Sequence, residues 1–252
     1  MSHMQQATAF EATSLISPAT VAAVQRERRF FGGMAVALTL TVLVGFGRTY
    51  YFNDLVAEPF ALTPLLHLHG AAFSAWMLLL VAQTALIATH RVRLHMRLGL
   101  VGAVLAAAMV PLGMSVAVTR TASGLIADNG APPLVFLAVP LIGMLVFGAL
   151  VSAALYLRRY SGAHKRLMVL ATLELATAGV ARLPFVEDWG PPGFFGVTDL
   201  FIVALIAYDL ITRKRVHAAT IWGGLFLVLS QPIRLAVGGS ASWTAFATWL
   251  VG

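Results

Sequence analysis

His95 opens one apolar run of the chain and His164 opens another, and basic side chains follow each within two positions, Arg97 after the first and Lys165 and Arg166 after the second. Two neutral imidazoles at one depth on facing helices form the axial pair of a b-type haem, with small residues beside them for the macrocycle and cations for the propionates. Gly99 and Gly102 supply the small residues. The pattern therefore predicts haem b with His95 and His164 as metal ligands and Arg97 and Arg166 near the acids. His69 marks a weaker second position, with Gly70 beside it and Arg48 or Arg182 in range. No histidine faces it from the fourth or sixth apolar run, which leaves Met109 and Met114 as speculative sixth ligands.

A second set of polar residues interrupts the apolar runs. Glu174 lies ten helical positions after His164, about 15 Å along the axis and close to a bilayer centre. A bare carboxylate there is costly, so it must be protonated, paired or turned to a hydrated interior. Asp199 sits about 9 Å inside its run on the same geometry. With Arg48, Arg182, Gln231 and Arg234 they predict an outward-facing polar cavity for an anionic small molecule or lipid headgroup, and Pro111, Pro140 and Pro232 offer breaks in the helices around it. The plainer expectation for each arginine is an interfacial anchor, and for Glu174 a hydrogen bond near Thr172 and Thr177. Asp209 is expected to pair with Arg213 one turn later. His67 cannot share a metal with His69, because positions two apart point to opposite sides of a helix. A hydrolytic metal at His67 or His69 with Asp199 or Glu187 has incomplete ligand spacing.

The elements that carry these residues are seven apolar stretches, 30–52, 64–89, 98–119, 133–157, 167–183, 193–211 and 218–237, each near the length of a membrane span. Thirteen of the 17 Lys and Arg residues fall before the first stretch or in alternate gaps, at 26–29, 91–97, 158–166 and 213–215. Such residues stay cytoplasmic. The expected fold is an all-α integral membrane bundle of seven helices, N-terminus cytoplasmic and C-terminus outside, in the bacterial cytoplasmic (inner) membrane. Residues 1–29 form a cytoplasmic tail, with the first stretch an uncleaved anchor. Residues 30–252 form one membrane domain that ends in a short interfacial helix from Ser240.

Composition agrees: 59% of residues are hydrophobic, 11% are charged and the mean hydropathy is +0.85. The net charge of +7 comes in short loop clusters without an aromatic stacking platform, which points to membrane lipids and away from nucleic acid. There is no cysteine, so thiol chemistry and iron–sulfur clusters are excluded and any redox role needs a bound cofactor and a quinone or other redox partner. There is no phosphate loop, no HExxH and no nucleophile elbow. Lys165 and Lys214 lie at span ends, which excludes a retinal Schiff base.

From His67 to Arg182 the chain resembles a group of uncharacterised bacterial multi-helix membrane proteins, on the residues His95-Met96-Arg97-Leu98-Gly99, His164-Lys165-Arg166-Leu167-Met168 and Arg182. It looks distantly like transmembrane haem-b cytochromes with paired histidines on neighbouring helices. Those proteins use four histidines within four helices, whereas the resemblance here carries over only His95 and His164 as ligands.

Overall fold

A computed structural model describes residues 17–56, 61–124 and 132–252. Among the described residues the chain is helical, with no strand. The long helices are α1 (Pro18–Gly45), α2 (Pro64–Ala88), α3 (Val92–Ala122), α4 (Pro133–Tyr156), α5 (Ser161–Val180), α6 (Gly190–Arg213) and α7 (Ala218–Gly238), followed by the short α8 (Ala241–Val251). Each expected apolar stretch falls on one helix except the first, 30–52, which runs past the end of α1 at Gly45. Several helices begin before their apolar onset: α1 starts at Pro18 because Ser17 accepts the Thr20 N–H and proline suits the first turn. Thr63 and Pro64 open α2 in the same way. The expected tail, residues 1–29, lies partly outside the described residues.

Six of these helices are long and apolar enough to cross a membrane. Large side chains such as Leu78, Leu100, Val104, Leu145, Leu200 and Trp222 point outward and are more than half exposed. An apolar exterior of that extent has lipid as its natural solvent, and the chain is an integral membrane protein. The exception among the long helices is α5, whose 20 residues include Lys165, Arg166 and Glu174. It is the most enclosed helix, packed by α1, α4, α6 and α7. Its Leu170 and Leu173 are fully buried with Leu38, Phe147 and Leu205.

Two local features set the ends of the bundle. Within α4 the regular helix breaks at Leu137, since Pro140 has no N–H for the carbonyl four residues earlier and crowds it. Beyond α1, residues Gly47–Tyr51 wind as a π-helical turn, a wide and uncommon geometry. Tyr50 and Tyr51 from this turn reach α2: the Tyr50 hydroxyl donates to the His67 carbonyl at 3.3 Å, and Tyr51 Oη lies 2.7 Å from Ser74 Oγ. Helix α8, capped by Ser240 as expected of a short C-terminal helix, lies against the start of α4 and the end of α3. There Trp243 Nε1 donates to the Leu134 carbonyl at 2.8 Å, and Ala247 is buried with Ala117 and Leu137.

Candidate functional site

At one end of the bundle α3 presents His95 and α5 presents His164, with ring centroids 6.4 Å apart and ring planes at 84°. Helix α3 packs on α2 and α4 rather than on α5, so the two imidazoles meet across a space between their helices. His164 Nδ1 lies 2.9 Å from the Ala154 carbonyl of α4. A carbonyl only accepts, so Nδ1 carries the hydrogen, and in the neutral ring Nε2 has the lone pair. His95 Nδ1 is buried and has no partner, and so is Gln83 Oε1 of α2. Gln83 is a neighbour of Gly99, where a Cβ would meet its Nε2 at 3.7 Å.

The separation of the ring centres is close to that of an axial haem pair. Two imidazoles bonded to one metal at about 2.0–2.1 Å each place their ring centres on the order of 6 Å apart. Each ring also retains an uncommitted nitrogen, and His164 has the outer-shell acceptor that metal-bound histidines use. Among the described residues no three His, Asp or Glu converge. The flanking residues depart from expectation. Gly102 faces Leu79 of α2, 2.9 Å from where its Cβ would stand. Lys165 is taken by Glu27 at 2.5 Å. Arg97, two positions after His95, is exposed on the other side of α3, and Arg166 turns away.

Arg166 belongs instead to a buried junction of α5, α6 and α7. Its Nε donates to both Asp209 oxygens at 3.1 and 3.2 Å, Nη2 closes the ion pair, and Nη1 donates to the Gly162 carbonyl at 2.8 Å. Asp209 also accepts from Thr220 Oγ1 at 2.7 Å and from the His217 backbone N–H at 3.0 Å. The expected Asp209–Arg213 surface pair does not form, because the carboxylate points inward to a site where every lone pair is used. His217 completes the junction by capping α7, its Nδ1 accepting from the Ala219 N–H at 3.0 Å.

Burial holds the His217 imidazole below its ordinary value of 6.5, and the charges of Arg166, Arg213 and Lys165 act in the same sense against the opposing effect of Asp209. A group whose folded-state value is depressed refuses a proton that the unfolded chain accepts, so its contribution is complete above about pH 6.5 and is lost as pH falls below it. Thermal unfolding in detergent is expected to show a falling Tm between pH 7.5 and 5.5. In His217→Asn, which caps without titrating, this part of the slope disappears.

Farther along α5, Glu174 meets Arg234 of α7 in a two-bond pair, Nη1–Oε1 at 2.7 Å and Nη2–Oε2 at 3.0 Å. Arg234 also donates from Nη2 to Ser230 Oγ at 2.5 Å and from Nε to the Ser230 carbonyl at 3.2 Å, and its guanidinium lies 5.5 Å from the Phe195 ring centre. Arg234 therefore does not anchor at the interface. Helical side chains lean toward the N-terminus, and its guanidinium comes back one turn to the level of Ser230. Thr172 and Thr177 donate to the Met168 and Leu173 carbonyls of their own helix. Gln231 Nε2 donates to Asp199 Oδ1 at 2.8 Å. The residues expected to line one cavity thus occupy separate places: Glu174 with Arg234, Asp199 with Gln231, Arg48 exposed on the π turn, and Arg182 at the end of α5.

Arg182 and Arg120 lie at the end of the bundle opposite the histidine pair. Arg182 Nη1 donates to the Ala178 carbonyl at 2.7 Å, and its guanidinium stands 4.5 Å over the Phe46 ring. His69 stacks on Phe73 at 4.0 Å, with Nδ1 buried and unpartnered. Thr49 Oγ1 of the π turn is likewise buried and unpartnered. Arg120 lies in a cleft against the first turn of α2, lined also by Thr63, Leu66 and Thr119. Sequence reasoning passed over Gln83 and Thr49. Gln83 had a signal as the lone amide in an apolar span, whereas a π turn leaves no recognisable periodicity. Comparison with family models, with curated proteins and with solved structures finds no match.

Proposed function

We propose that the protein is a seven-span electron-transfer protein of the bacterial cytoplasmic membrane that holds haem b between His95 and His164, with a quinol-type molecule as a redox partner. The observation that carries this reading is the imidazole pair, 6.4 Å between ring centres with an uncommitted nitrogen on each ring. Bound there, haem supplies reversible one-electron chemistry at its iron. His164 is held by the Ala154 carbonyl.

The topology rests on charge and packing. The basic clusters gather at the end that holds the histidine pair: Arg28 Nη1 lies 3.0 Å from His90 Nε2, Lys165 pairs with Glu27, and Arg166 meets the α6–α7 corner. Their excess on one side favours a cytoplasmic N-terminus. Helix α8 lies at the other end, which supports a C-terminus outside and a count that takes α5 as the seventh span despite its charges.

Protein purified in detergent after haem-sufficient expression is expected to show a Soret band and haem in about equimolar amount. His95→Ala and His164→Ala are expected to lose the six-coordinate spectrum, while His67→Ala keeps it. A wild-type protein with no Soret absorption overturns the reading.

A further inference from the structure

The charged groups elsewhere in the interior follow one rule. Arg166 and Arg234 are each about 1% exposed, and each has a carboxylate and at least one further acceptor. At the end remote from the histidine pair that rule is broken. Arg182 has one backbone acceptor, no described carboxylate pairs with it or with Arg120, and the charge of Arg120 is felt at Arg182. His69 is close enough to Arg182 to feel its charge, and its Nδ1 is buried without a hydrogen-bond partner, as is Thr49 Oγ1.

Four donors of this kind have a common complement. Like charges drawn together at a membrane boundary are costly unless an anion lies between them, and buried donors left unpaired add to that cost. The π turn explains how the donors converge. By widening the helix end it sets Tyr50 over Gly70, where a Cβ would collide with the Tyr50 ring, and brings the end of α1 onto the first turns of α2. Phe46 just before the turn carries Arg182 on its face, while Arg120 approaches the same turns of α2 from α3.

We infer that Arg120, Arg182, His69 and Thr49 form a receptor for a phosphate-bearing anion at the outer end of α1, α2, α3 and α5. A tetrahedral oxyanion has enough acceptor positions to meet two guanidinium groups, a hydroxyl and an imidazole N–H from different directions. The same chemistry suits the headgroup of an anionic lipid and a free phosphate compound. This inference is independent of the haem reading, and a colourless protein leaves it standing.

The test is a thermal-shift titration with two probes: inorganic phosphate in neutral detergent at fixed ionic strength, and phosphatidylglycerol against phosphatidylcholine in nanodiscs. Wild-type protein is expected to gain Tm with at least one probe. A response to phosphate identifies a solute site, and a response to phosphatidylglycerol alone identifies a headgroup site. Arg120→Gln and Arg182→Gln are expected to lose the response, and Thr49→Val, which keeps every charge, is expected to need about tenfold more probe. Arg91→Gln/Arg93→Gln, at the opposite end, is expected to respond as wild type. No wild-type response to either probe, a full response in Arg182→Gln, or loss in the Arg91/Arg93 control instead overturns the inference. If Arg182→Gln does not fold, Thr49→Val decides, and an unchanged half-saturation in it overturns the inference.

Discussion

Arg234→Met is expected to lower the stability of the protein by about 3–5 kcal/mol, because it strands the Glu174 carboxylate in a site built for its ionised form. Glu174 is only 6% exposed and Arg234 1%, so water does not replace the lost partner. Gly143 of α4 closes the site from the other side: a Cβ there would stand 2.7 Å from Glu174 Oε1. The double variant Glu174→Gln/Arg234→Met removes both charges and is expected to recover most of the loss, since the cost of an orphaned charge exceeds the net worth of the pair. Denaturant unfolding of the two single variants and the double variant measures this. Additive losses in the double variant would show that the charges do not act on one another.

Gly45→Ala is expected to cost about 3 kcal/mol. At that point α1 crosses α5 with backbone against backbone, and a Cβ on Gly45 would collide with the carbonyl oxygen of Gly179 and lie 2.8 Å from its Cα. A flexible side chain could rotate away, but a helix backbone cannot. Gly179 is equally confined, with its Cβ position 3.0 Å from Val42 Cα, in the manner of small residues that let membrane helices approach closely. Gly32 and Gly33, in the same helix, have nothing within 4 Å of a Cβ. Alanine at either is expected to be neutral or to stabilise by up to about 1 kcal/mol. Equal effects at Gly33 and Gly45 in detergent unfolding would rule out the crossing as the cause.

The long helices were legible because a membrane span must be apolar over its whole length, and the alternation of Arg and Lys between spans survives whatever the interior packing. The interior was less legible for the same reason. A span that is apolar all round does not mark its inward face, so nothing in the sequence told Leu79 to fill the space beside Gly102. Glu174 stood out as an acid amid apolar neighbours, but its partner did not. Counting rise along α7 puts the Arg234 Cα near the boundary, and only the direction of the side chain returns the guanidinium to Ser230. Asp209 has a cation one turn away on its own helix, and the choice of Arg166 over Arg213 depends on how α5 and α6 face one another. The two histidines required no such knowledge, because each opens its helix at the same end of the bundle.

Helix α5 cannot be satisfied by the chain that precedes it. Arg166 finds its carboxylate on α6, and Glu174 finds its cation on α7, so neither ion pair can close until the helices that follow α5 are in place. During biogenesis this segment needs shelter from lipid, at the insertion machinery or against α1 and α4, until the last third of the polypeptide is made. The segment at the centre of the finished protein is thus the last to reach its resting state.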